Sequence, residues 1–122
     1  MNGSTSHSNS KVIRVGANAQ FTGGKPIQDI NDTRTISIRC IAGNANAASP
    51  NNYAYASNST TGTTIMTIIE CQQVGPAGRG YINFAGSTIN LYDGTFGNLI
   101  AASNNNSGTV NLLTEADVYE II

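Results

Sequence analysis

Apolar and polar residues alternate over several short runs, and that alternation is the first signal in the chain. In TISIRCIA (35–42), Ile36, Ile38, Cys40 and Ala42 fall on one face and Ser37, Arg39 and Ile41 on the other. Strict alternation of this kind predicts a strand with one face on a core and one toward water, the usual behaviour of an antiparallel sheet. KVIRV (11–15) and TVNLL (109–113) read the same way. TTIMTIIECQQV (63–74) is apolar on both sides, with Ile65, Ile69 and Cys71 opposed to Met66 and Ile68. That pattern predicts a strand covered on both faces, by its own sheet stack or by another subunit.

The intervals are rich in Gly, Asn and Ser, which form turns. Asp93-Gly94 lies between the runs STINLY and TFGNLI, and Asp-Gly between alternating runs predicts a two-residue hairpin. With one extra residue at Gly97, Ile89 comes opposite Leu99, so a β-bulge is expected there. GANAQFTGGKPIQDINDT reads mostly as loop, and some twenty residues from Gly43 to Gly62 lack an apolar period. The C-terminal VYEII reads as a strand, with a short helix over 115–122 capped by Thr114 as the alternative. No repeat period emerges. The expectation is an all-β fold, an antiparallel β-sandwich or small β-barrel with long Asn/Ser/Gly-rich loops. Residues 1–10 read as a flexible N-terminal arm and 11–122 as a single β domain.

Composition sharpens this reading. Fourteen isoleucines stand against four leucines, and threonine is as frequent as glycine. Branching at Cβ favours the pleated sheet over the helix. The net charge is −1 with 11% charged residues, so the basic footprint of a nucleic-acid binder is missing. No apolar stretch reaches the length of a membrane-spanning helix.

Candidate chemistry is sparse. His7 is the sole histidine and falls in the polar arm, away from any nucleophile that it could serve as base. Cys40 and Cys71 are too few for a structural zinc site. They read as small buried apolar residues, with a disulfide left open. VGPAGRGYINFAG (74–86) lacks the Lys-Ser/Thr pair of a phosphate-binding loop and reads as a turn that displays Arg79. No catalytic, cofactor or metal residue is expected, and the protein reads as a non-enzyme. The candidate contacts are Tyr53 and Tyr55 in the long loop, Arg79 at the turn, and the apolar end Ile121-Ile122.

The Ser/Thr/Asn/Gly-rich body, near-neutral charge, polar N-terminal arm and apolar C-terminus resemble the virion structural proteins of bacteriophages, namely capsid decoration (cement) proteins and tail-associated β modules. That resemblance implies a homo-oligomer, a trimer in the first instance, seated on the viral major capsid protein and stabilising the shell. It implies no nucleic-acid or membrane partner, no cofactor, and a location in the virion. The alternative is a carbohydrate-binding or adhesin-like module, with Tyr53 and Tyr55 as the sugar platform.

Overall fold

The computed structural model describes residues 5–21, 25–44, 53–75 and 79–122. Thirteen strands and one helix are assigned among them, and every strand pairing is parallel. The chain winds repeatedly through the same three sides of a prism. β1 (Thr5–Ser8), β2 (Lys11–Val15) and β3 (Asn18–Phe21) make the first coil. β4 (Ile27–Ile30), β5 (Arg34–Ile38) and β6 (Ile41–Asn44) make the second, and β7 (Tyr55–Asn58), β8 (Thr64–Ile69) and β9 (Gln72–Val74) the third. β10 (Arg79–Asn83) with β11 (Ser87–Tyr92), then β12 (Ser103–Asn106) with β13 (Thr109–Leu112), add two coils with two strands each, and α1 (Glu115–Ile121) follows.

The coils stack into three sheets, ordered β1-β4-β7-β10-β12, β2-β5-β8-β11-β13 and β3-β6-β9. We call them sheets A, B and C. This is a parallel β-solenoid, in which each coil buries its inner face only by stacking on its neighbours.

The antiparallel sandwich or barrel expected from the pattern is therefore overturned. A solenoid sheet has one face on the core and one facing out, so its strands alternate as antiparallel strands do. Alternation reports a half-buried strand, and says nothing of the direction of its neighbour. The predicted hairpin at Asp93-Gly94, with its bulge at Gly97, is absent. Asp93 and Gly94 follow β11 at the corner where the chain leaves sheet B, and no strand is assigned between Tyr92 and Ser103. The repeat escaped notice because the coils differ in length. Stacked positions on sheet B, Lys11, Arg34, Ile65, Thr88 and Thr109, lie 23, 31, 23 and 21 residues apart.

The corners explain a second correction. Arg39 and Glu70 adopt left-handed backbone at φ 47° and 51°, and Gly16 stands in the same stacked corner at φ 65°. Each donates its N–H to the next coil, Gly16 to the Ile38 carbonyl, Arg39 to Ile69 and Glu70 to Tyr92. A left-handed residue turns the chain sharply and resets which side chains point inward. The run 35–42 is thus two strands of opposite phase. Thr35 and Ser37 point into the solenoid, Ile36 and Ile38 point out, and Cys40 and Ala42 point in again. The run 63–74 is split in the same way at Glu70, whose carboxylate meets Arg39 at 2.7 Å.

The interior is built from stacked columns. On sheet B they are Val12–Thr35–Met66–Ile89–Val110 and Arg14–Ser37–Ile68–Leu91; Leu112, in register beyond Leu91, is exposed. On sheet A, Ile27, Tyr55 and Tyr81 stack inward. Ala19 and Ala42 leave room for these larger groups from the sheet C side. In the fourth coil, where sheet C has no strand, the Asn98 side chain substitutes for one. Its amide donates to the Gln73 carbonyl and accepts from the Gln73 N–H, both at 2.8 Å. Leu99 is fully buried beside it, and the Asp93 carboxylate accepts from Leu99 N and Ile100 N at 3.1 and 2.7 Å.

The stretch expected to be loop around residues 16–33 contains β3 and β4, and the twenty-residue interval contains β7. The polar N-terminal stretch supplies β1, which lies in register on β4 with His7 beside Asp29. The last apolar run is a helix, where a strand was expected. Thr114 accepts from the Asp117 N–H while the Asp117 carboxylate accepts from the Thr114 N–H, a reciprocal cap that satisfies donors a helix start would otherwise leave open. Those same bonds hold the Asp117 carboxyl below its ordinary range.

Candidate functional site

Two places in the molecule combine unusual chemistry with a defined geometry. The first is a polar cluster inside the first two coils. Arg14, on the inner face of β2, forms a paired contact with the Asp29 carboxylate of β4, and its Nη1 also donates to Ser37 Oγ at 3.2 Å. Thr35 donates to the same carboxylate at 2.7 Å. Arg14 and Asp29 side chains are 5% and 0% exposed. A charge buried to this degree persists only when paired and hydrogen-bonded.

The cluster continues into the corner column below it. Cys40 and Cys71 are free, fully buried and on adjacent coils, and the Cys71 sulfur accepts the Cys40 N–H at 3.3 Å. The Cys71 thiol beside it draws Cys40 below the ordinary thiol range, and the same contact together with burial pushes Cys71 well above it. Among the described residues no group of three or more His, Cys, Asp or Glu could hold a metal ion. The cluster orders the first coils. Because both thiols are shielded, the native protein should take up an aromatic disulfide reagent only as fast as it unfolds. Rapid labelling of two thiols per chain in buffer would show that the corner opens without unfolding.

The second place is the outer face of sheet B. Its outward columns are Lys11–Arg34–Ile65–Thr88–Thr109, Ile13–Ile36–Thr67–Asn90–Asn111 and Val15–Ile38–Ile69–Tyr92. In coils four and five this face is polar, with an amide ladder in which Asn111 donates to Asn90 at 2.9 Å and Asn90 to Thr67 at 3.4 Å. In coils one to three it is apolar. α1 lies along one margin, where Val118 and Ile122 line a cleft of about 220 Å³ with Ile38, Ile69 and Tyr92. The other margin, the Lys11–Arg34–Ile65 column, is uncovered, and a groove of about 440 Å³ runs along it between Lys11, Ile13, Arg34, Ile36 and Ile65. Ile13 in the middle column is 67% exposed, and Val15, at the first-coil end of the α1 column, is 70% exposed.

No family model matches the chain, and no curated protein or solved structure is significantly similar to it. The functional reading therefore rests on the molecule's own surfaces.

The residues singled out from sequence are placed as follows. Tyr55 is fully buried in the core, where its hydroxyl lies 2.9 Å from the Gln72 carbonyl and 3.2 Å from that of Cys40. Tyr53 is also buried, packed with Ala56, Ile82 and Phe84 on the outer side of sheet A. Arg79, at the start of β10, stacks on the Tyr53 ring at 5.6 Å. Ile121 and Ile122 end α1, 39% and 70% exposed. The fold thus brings Tyr53 to Arg79, sends Tyr55 inside, and puts Ile122 in the cleft between α1 and sheet B, at the margin opposite the groove. Sequence reasoning missed Lys11, Ile13, Val15, Arg34, Ile36 and Ile65 as a surface. Their signal was present as apolar residues on both sides of the strands, read for 63–74 as cover from the sheet stack or from another subunit and for Ile36 as the core face.

Proposed function

We propose that this protein is a non-enzymatic structural component of a virus particle, which reinforces the shell by docking on coat subunits and on copies of itself. The observation that carries the reading is the uncovered apolar surface of sheet B at the first coil, where Ile13 and Val15 stand 67% and 70% exposed in register with Ile36 and Ile38. An apolar patch rimmed by polar residues marks an association surface. Low charge accords with the resemblance in composition to decoration and tail-associated modules.

The carbohydrate-binding alternative relied on the rings of Tyr53 and Tyr55. Both are buried, so that reading has no exposed aromatic platform among the residues it named.

Two measurements test the proposal. Light scattering at micromolar concentration should give the molar mass of an oligomer, a trimer in the first instance. The tagged chain should also sediment with virus-sized particles from the cells that make it. A stable monomer that stays out of every large particle would overturn the proposal, and specific hits on a glycan array would favour the alternative.

A further inference from the structure

We infer that the sheet B groove is the seat for α1 of a second copy of this chain, so that each protomer carries both halves of one self-association site. The inference rests on the self-association part of the proposal above and adds the residues that make the contact. Three features of the molecule carry it.

The first is charge. Lys11 and Arg34 are direct register partners on the outer face of β2 and β5, and both are exposed. Neither takes part in an ion pair among the described residues. Like charges on directly adjacent strands repel each other. An acidic group laid between them would relieve that repulsion. α1 is acidic throughout, with Glu115, Asp117 and Glu120 and no basic residue in its last turn.

The second is apolar matching. α1 buries only Val118 against its own sheet, leaving Tyr119, Ile121 and Ile122 exposed at 73%, 39% and 70%. The groove offers Ile13, Ile36 and Ile65 beside the two cations. One surface is a ridge with apolar and acidic groups, the other a trough with apolar and basic ones.

The third is placement. The groove follows the Lys11–Arg34–Ile65 column, and α1 follows the Ile38–Ile69–Tyr92 column at the opposite margin of the same face. A twofold axis along the solenoid, in the plane of the contact, sets each copy's α1 over the other's groove. A closed threefold ring would use the same contact head to tail.

Charge reversal with rescue tests this. Lys11→Glu/Arg34→Glu should weaken self-association at least tenfold by sedimentation velocity at low salt, and Glu115→Lys/Glu120→Lys should do the same. Mixing the two variants should restore a mixed complex with an even number of chains, because the reversed helix of one then meets the reversed groove of the other, whereas a ring of three always keeps one like-charged contact. Circular dichroism checks that each variant is folded. If the first pair disturbs folding, Glu120→Lys alone, on the exposed side of α1, provides the measurement. A wild-type monomer would sink both this inference and the self-association on which it rests. A wild-type oligomer that neither reversal weakens, or a mixture that does not reassociate, would overturn the groove assignment and leave self-association through another face standing.

Discussion

Replacing Asp29 with alanine is expected to destabilise the protein by about 3–5 kcal/mol, the range for removing one partner of a buried ion pair. Asp29 accepts from Arg14 and Thr35 in a site closed to water. Without it the guanidinium keeps only Ser37 as a side-chain partner, and one hydrogen bond does not compensate for a buried charge. The loss should appear as a lower urea midpoint with an unchanged slope. The double replacement Arg14→Met/Asp29→Leu, which removes both charges and keeps the volume, should recover most of the stability or exceed it. If Asp29→Ala costs less than about 1 kcal/mol, a typical value for an exposed pair, then water reaches the cluster and the first coil is looser than described.

Tyr55→Ala is expected to cost a similar amount, about 3–5 kcal/mol, as for other large aromatic-to-alanine changes in cores. The ring stacks between Ile27 and Tyr81 in the inward column of sheet A. Its hydroxyl reaches the carbonyls of Cys40 and Gln72. Cys40 O already accepts the Gln72 N–H at 2.8 Å, so the hydroxyl matters most at Gln72, on the last strand of sheet C. Tyr55→Phe keeps the packing and loses that bond, for about 1 kcal/mol.

The pH dependence provides a second reading of the same residue. Burial holds the Tyr55 phenol well above its ordinary 10.0. The unfolded chain therefore releases this proton first as pH rises. The stabilisation is complete below pH 10 and is lost above it, and Tyr55→Phe should make the alkaline fall shallower. Equal alkaline profiles for the two proteins would place the hydroxyl in water. A loss of sugar binding after Tyr55→Ala would thus report unfolding rather than a binding site.

Much of the local structure was legible in the chain, and its assembly was not. KVIRV and TVNLL were legible as strands because Cβ branching acts locally, and both are strands, although in KVIRV it is Val12 and Arg14 that face the interior and Ile13 and Val15 that face out. Thr114 was visible as a cap because hydroxyl capping is local chemistry, though the Ile-rich ending pointed to a strand. Strand preference there gave way to a reciprocal cap and to a single apolar residue, Val118, facing the sheet. Asp93-Gly94 misled because Asp-Gly favours a tight turn, and a tight turn serves a solenoid corner as well as a hairpin.

The outer face of sheet B shows the limit most clearly. Ile36 and Ile38 were assigned inward and Ser37 outward, since burial of apolar groups is the stronger general tendency. The interior already held Arg14 and Asp29, and Ser37 is the residue that accepts from Arg14. Nothing near Ser37 in sequence announces an arginine twenty-odd positions earlier.

By itself, then, the sequence determined that the chain makes short half-buried strands joined by turns, because alternation, Cβ branching and turn chemistry act over a few residues. Only the tertiary structure decided that these strands run parallel in stacked coils, which residues at the corners reverse the inward phase, and which isoleucines are left outside. Those outcomes depend on contacts between positions 21 to 31 residues apart, and coils of unequal length leave no period to reveal them.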